Sequence, residues 1–188
     1  MKKIFLLFFL LVASGVQAQE IKWMSLPEAL EAQKTNPKKI FMDVYTLWCG
    51  PCKLLDKKTF ANKDVARYIN EHYYAVKFNA EGNEEIAFYD QLFRNPNYDP
   101  NRRGRNATHQ FTQFLGIKGY PTMVFFSEDG DPIMPVVGYY NPQQFGPYLK
   151  IIKQGDYAVF STSEDIEIYF KNFIPKFRGF NKRRLTRP

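Results

Sequence analysis

The stretch Trp48-Cys49-Gly50-Pro51-Cys52-Lys53 follows closely on the run Ile40-Phe41-Met42-Asp43-Val44-Tyr45. A continuous apolar run broken by a single acid is the pattern of a strand buried on both faces, as in a parallel sheet. A helix is expected after Trp48, so the two cysteines stand at a strand-to-helix junction. Three residues apart, they lie one helical turn apart and can close a small disulfide. Cys49 is expected at the helix cap, exposed, where unpaired amides and the helix dipole favour a thiolate. Cys52 is expected inside the first turn and more buried. That asymmetry suits an attacking thiol and a resolving thiol. A structural disulfide closing so short a loop would stabilise little. A zinc site needs two more ligands, and the only histidines, His72 and His109, have no finger spacing. Redox chemistry is therefore the expected use, with no metal and no cofactor.

The chain has 188 residues, 24% of them charged and 45% hydrophobic, which excludes disorder and collagen-like repeats and bounds it to one domain with additions. Residues 1–18 read as a signal peptide: Lys2 and Lys3, an apolar stretch from Ile4 to Val12 too short to span a bilayer, then Val16-Gln17-Ala18. The mature protein is expected to be soluble and secreted across the inner membrane, with the periplasm as its expected compartment. The last thirteen residues hold six basic side chains, from Lys176 to Arg187, and no acid, while the rest of the mature chain is close to neutral. The basic balance thus belongs to a tail, and no nucleic-acid partner is expected. The tail either touches an acidic surface or is a solvated end.

Strand and helix alternate along the chain. A short strand is expected within Ile21–Met24, then a helix opened by Ser25-Leu26-Pro27-Glu28 and stopped by Pro37. After the strand at 40–45 and the cysteine helix come a helix over Lys63–Glu71 and a strand over Tyr73–Phe78. A helix is expected over Glu84–Phe93. A loop over 94–108, rich in Pro, Asn and Arg, leads to a helix ending at Gly116. Strands Thr122–Phe126 and Ile133–Val137 flank the turn Asp129-Gly130-Asp131, and Asn141-Pro142 caps a helix to Lys153. A further helix is expected over Ser163–Phe173. The expected organisation is a signal peptide at 1–18, one α/β domain at 19–155 with an insertion near 94–108, and a helical extension with a basic tail at 156–188.

Trp-Cys-Gly-Pro-Cys-Lys resembles the signature of the thioredoxin superfamily. Asp43, six residues before Cys49, matches the family's buried acid, and Lys77 matches the lysine of the neighbouring strand that approaches it. Gly116-Ile117-Lys118-Gly119-Tyr120-Pro121-Thr122 resembles the loop that carries a cis-proline. The stretch Thr59 to Val65 is more similar to the C-terminal thioredoxin-like domain of the disulfide reductase DsbD. The resemblance implies a thioredoxin fold, a central mixed β-sheet flanked by helices. It implies an enzyme cycling Cys49 and Cys52 between dithiol and disulfide, with a substrate groove formed by Trp48, Gly50, Pro51, Tyr120 and Pro121. Asp43 would have a raised pKa and take the proton of Cys52, and Lys77 would tune Asp43 or lie solvated on the strand face. Tyr45 and Tyr120 depart from the family pattern, and the long insertion and the segment after Gly155 have no counterpart in it.

The function these residues point to is a protein-disulfide reductase or isomerase acting on disulfide-containing exported proteins. Gly50-Pro51 places no histidine between the cysteines, so the couple is expected to be reducing and to need a membrane electron donor. The alternatives are a disulfide-forming oxidase and a non-enzymatic binder on the same fold.

Overall fold

The computed structural model describes residues 20–159, 163–172 and 177. The expected signal peptide lies outside the described residues, as does the basic tail apart from Phe177. The described elements run β1 (Trp23–Met24), α1 (Leu26–Thr35), β2 (Ile40–Tyr45), α2 (Gly50–Leu55), α3 (Lys63–His72), β3 (Tyr74–Asn79), β4 (Ile86–Phe88), β5 (Gln91–Phe93), α4 (Gln110–Phe114), β6 (Thr122–Phe126), β7 (Pro132–Val137), α5 (Pro142–Gln154) and α6 (Ser163–Asn172). A π-helical turn, Asp56–Phe60, continues α2.

Five strands form one mixed sheet in the order β1-β3-β2-β6-β7. The central strand β2 runs parallel to β3 and antiparallel to β6. Strand side chains alternate between faces, and the two faces bury separate apolar clusters. Ile40, Met42 and Val44 join Val76, Phe78, Phe111 and Phe126 beneath α1 and α4. Phe41 joins Ala75, Phe125, Leu55, Phe60, Phe145 and Leu149 on the side of α2, α3 and α5. Phe41 is fully buried and packs within 6 Å of the rings of Phe60, Phe125 and Phe145. The same alternation places Asp43, two residues beyond Phe41, on the α2 side.

The helix ends follow the local chemistry. Ser25 caps α1 in a capping box with Glu28, and Asn141 caps α5 in another with Gln144. Asn62 caps α3 by accepting the amides of Asp64 and Val65. At the other end of the molecule, Phe170 of α6 packs on Tyr148 of α5 with ring centroids 4.6 Å apart. Phe177 lies so close to Gly146 that a Cβ there would sit 2.7 Å from the ring, which only glycine avoids.

The helix expected over Glu84–Phe93 is instead a hairpin. β4 and β5 pair antiparallel, with Ile86 opposite Phe93 and Phe88 opposite Gln91. Ile86, Phe88 and Phe93 are buried against Phe111 and Phe126. The connecting residues Tyr89 and Asp90 have φ of 49° and 58°, the left-handed pair that a two-residue hairpin turn requires. Helix-forming glutamates and alanine in the segment favour a helix locally, but burial of three alternating apolar residues decides for strand.

This geometry gives a discriminating substitution. Asp90→Val puts a β-branched residue at positive φ and should lower stability by about 1–2 kcal/mol. Asp90→Gly should cost nothing, whereas in a helix glycine would be the worse replacement, by about 0.4 kcal/mol, and valine would be close to neutral. Urea unfolding midpoints of the two variants decide between hairpin and helix.

Candidate active site

Cys49 occupies the N-cap of α2 in extended conformation, and its sulfur accepts the amide of Cys52 at 3.1 Å. Pro51 stands in the first turn, where its missing N–H costs no hydrogen bond. The two sulfurs are bonded, with S–S 2.00 Å and a Cα–Cα separation of 5.3 Å. Cys49 and Cys52 are 2% and 3% exposed, so the expected contrast between an exposed and a buried cysteine is absent from the disulfide form. The reason is geometric: the bond to Cys52 and the hydrogen bond to its amide turn the Cys49 side chain back over the helix end. Leu47, Trp48, Gly50 and Pro51 around it remain exposed.

Beneath α2 lies a charged group spanning three elements. Asp43 pairs in register with Lys77 across β2 and β3. Lys77 Nζ is 3.1 Å from Asp43 Oδ2 and also hydrogen-bonds Asp56, the first residue of the π-helical turn. The rings of Trp23, Tyr45 and Phe60 surround the ammonium, with centroids 4.9, 5.1 and 5.8 Å away. Asp43 is 1% exposed, and its Oδ1 has no hydrogen-bond partner among the described residues. Burial pushes the Asp43 carboxyl up to about 6; Lys77 opposes this and Asp56 adds to it. Burial acts to lower the Lys77 pKa, but the two carboxylates outweigh it and hold the lysine above its ordinary value. Lys77 is therefore not a solvated lysine on the strand face. Asp43 combines an unpartnered oxygen with a pKa near neutrality, the properties of a buried proton acceptor. A cavity of about 500 Å³, lined by Trp23, Asp56, Phe60 and Lys77, opens beside this group.

The rim of the site comes from two further segments. The Tyr120–Pro121 bond is cis, and the Tyr120 ring packs edge-on against Trp48 at 6.0 Å. The Trp48 indole N–H donates to Glu81 Oε2 at 2.9 Å, and the same oxygen accepts the Asn106 amide at 2.8 Å. The Arg105 guanidinium lies 4.3 Å from the Trp48 ring centre. The sequence reading missed three of these residues. Asp56 had a signal, since it stands one helical turn beyond Cys52. Glu81 and Arg105 had none, because their approach to Trp48 depends on the course of the insertion. His109 is committed elsewhere: its Nδ1 accepts the Phe111 amide and its Nε2 donates to the Glu84 carbonyl. Among the described residues, no group of three or more His, Cys, Asp and Glu side chains is placed to hold a metal ion.

A family model described as a thioredoxin-like domain matches residues 26–153. The chain belongs to the thioredoxin-like family. Its curated relatives include the thiol:disulfide interchange protein DsbD of Pectobacterium atrosepticum, 26% identical over 117 residues, which cover 61% of this chain and 16% of the relative. DsbD of Yersinia enterocolitica is 25% identical over 146 residues, covering 73% and 22%. The chain thus spans less than a quarter of the length of these relatives. Among solved structures, a thioredoxin-fold protein from Helicobacter pylori superposes with a TM-score of 0.57 at 22% identity, covering 84% of this chain and 93% of that one. The DsbH oxidoreductase superposes with a TM-score of 0.51 at 15% identity, covering 78% and 90%. These likenesses establish the fold. With the Cys49–Cys52 pair, family membership supports thiol–disulfide oxidoreductase chemistry. No helix among the described residues is long and apolar enough to cross a membrane.

The buried acid makes stability depend on pH. The pKa of Asp43 in the folded chain lies above the unfolded value of about 3.9. Between about pH 4 and 6 the folded state therefore holds a proton that the unfolded state has released, and stability falls as pH rises through that window. Asp43→Asn removes the titration while Lys77 keeps Asp56 as a partner. The oxidised variant should exceed the oxidised parent by about 3 kcal/mol at pH 8, the gap closing towards pH 4. Urea unfolding across that range checks it; parallel curves would refute the assignment.

Proposed function

We propose that the chain is an exported thiol–disulfide oxidoreductase that reduces or isomerises disulfides of exported proteins. The observation that carries this reading is the cysteine pair capping α2 above the buried Asp43. In the reduced protein the Cys49 thiolate, held by the Cys52 amide, attacks one sulfur of a substrate disulfide. A mixed disulfide forms, and the other substrate sulfur leaves as a thiolate. Cys52 passes its proton to Asp43, directly or through water, and attacks Cys49. The Cys49–Cys52 bond closes and the second substrate thiolate departs, so two electrons have moved to the substrate. The backbone beside Pro121 is suited to pairing with an extended substrate segment.

Gly50-Pro51 supplies no side-chain donor or charge, so the Cys49 thiolate gains only the helix-terminus contribution, on the order of 1 kcal/mol. A couple with so little stabilisation of the reduced form is reducing. In an exported compartment it must be recharged, and a membrane electron donor is the source this reading requires. The expected signal peptide at residues 1–18 belongs to the same reading.

Equilibration against glutathione should place the couple nearer about −270 mV than about −120 mV. Cys49→Ala should abolish turnover of an insulin-like disulfide. Cys52→Ser should accumulate mixed disulfides with exported proteins, released by dithiothreitol. A potential near the oxidising end would transfer the assignment to a disulfide-forming oxidase. No turnover at any potential would leave a binder on this fold.

A further inference from the structure

The insertion between β5 and α4 is a built wall beside Trp48. Asn95 Nδ2 donates to the carbonyls of Gly82 and Ala107 at 2.9 and 2.7 Å, tying the two ends of the loop together. Asn106 and Asp99 bond each other twice across its middle, at 3.0 and 2.8 Å. Two adjacent residues then fix the wall to the site: the Asn106 amide shares Glu81 with the Trp48 indole, and Arg105 covers the indole face.

The wall is positively charged where it faces solvent. Residues 94–108 hold four arginines and one acid, Asp99. Arg94 is paired with Glu85. Arg102, Arg103 and Arg105 are exposed, and none forms an ion pair or a side-chain hydrogen bond among the described residues. Two acids of this region are engaged elsewhere: Glu81 holds the Trp48 indole and the Asn106 backbone amide, and Asp99 accepts the Asn101 amide. A guanidinium lying on an indole keeps its in-plane N–H groups directed outward, in a fork that fits a carboxylate.

Resting on the oxidoreductase reading above, we infer that the segment 94–108 is the specificity wall of the Cys49 groove. Arg105 is its specificity-determining residue, and the substrates it selects carry acidic side chains beside the disulfide. Trp48 stands immediately before Cys49 and bears the guanidinium on its face, so a substrate sulfur brought to Cys49 places its flanking residues against this wall. Arg105 sets the charge preference at contact, while Arg102 and Arg103 add attraction during approach.

The test uses the reduced protein and three synthetic peptides, each with one internal disulfide flanked by glutamate, glutamine or lysine. Single-turnover rate constants are read by mass spectrometry. The glutamate peptide should react about tenfold faster than the lysine peptide at low salt, and the ratio should shrink in about 1 M NaCl. Arg105→Ala should cut the ratio to about threefold or less, Arg105→Glu should push it below one, and Arg105→Lys should restore part of it. Wild-type rates independent of flanking charge would overturn the inference while leaving the oxidoreductase reading standing. So would a preference that survives both Arg105→Ala and Arg105→Glu, provided the urea midpoints of the variants match the parent. Failure of the wild type to reduce any of the three peptides would overturn the oxidoreductase reading itself, and the inference with it.

Discussion

A carboxyl group in the middle of the central strand is the constraint around which this molecule is arranged. Asp43 shares a strand face with Phe41, so the pleat buries it in the same layer as the largest aromatic cluster. An isolated carboxylate there would be too costly to ionise. Lys77, on the matching position of β3, supplies a counter-charge, and the Trp23, Tyr45 and Phe60 rings hold its ammonium in place. Lys77 in turn is shared with Asp56, which the π-helical turn after α2 presents towards it. The helix bearing the cysteines is thereby linked to the sheet at the buried acid. Burial holds the Asp43 carboxyl up at about 6 against the pull of Lys77, and the second carboxylate, Asp56, adds to the rise.

The site's outer boundary depends on the opposite face of the sheet. The β4–β5 hairpin is anchored by Ile86, Phe88 and Phe93 in the cluster around Phe111, and the insertion leaves from that anchor. Its return is held by His109, which caps α4 and donates through Nε2 to the Glu84 carbonyl. Between these fixed ends the loop needs few contacts to reach Trp48. A long loop on a rigid scaffold is the usual way to vary recognition without disturbing a reaction centre. The C-terminal segment uses the far side: α6 and Phe177 pack on α5, through Tyr148 and against Gly146, on the α5 side of the sheet.

The cysteine pair, the strand ending at Tyr45 and the caps of α1 and α5 were legible in the chain. Each rests on neighbours within a turn or on a pattern two residues long. The hairpin at 86–93 was not, because Tyr89-Asp90 lacks the glycine or asparagine that marks such a turn. Only the apolar partners Phe111 and Phe126, distant in sequence, select strand over helix there. The exposure expected of Cys49 followed from its place at a helix cap, and in the disulfide form Cys49 and Cys52 are both buried.

By itself, then, the sequence determined the cysteine pair at a helix cap and the single acid in the apolar strand before it, while Lys77 was singled out by the family resemblance. The tertiary structure alone decided who shares Lys77 and what stands over Trp48. Asp56 reaches the lysine because α2 packs across the sheet, and Arg105 reaches the indole because a loop folds back from a distant anchor. Long-range packing sets both contacts: the helical spacing from Cys52 marks the face of Asp56 but not its partner, and nothing in the chain marks that of Arg105.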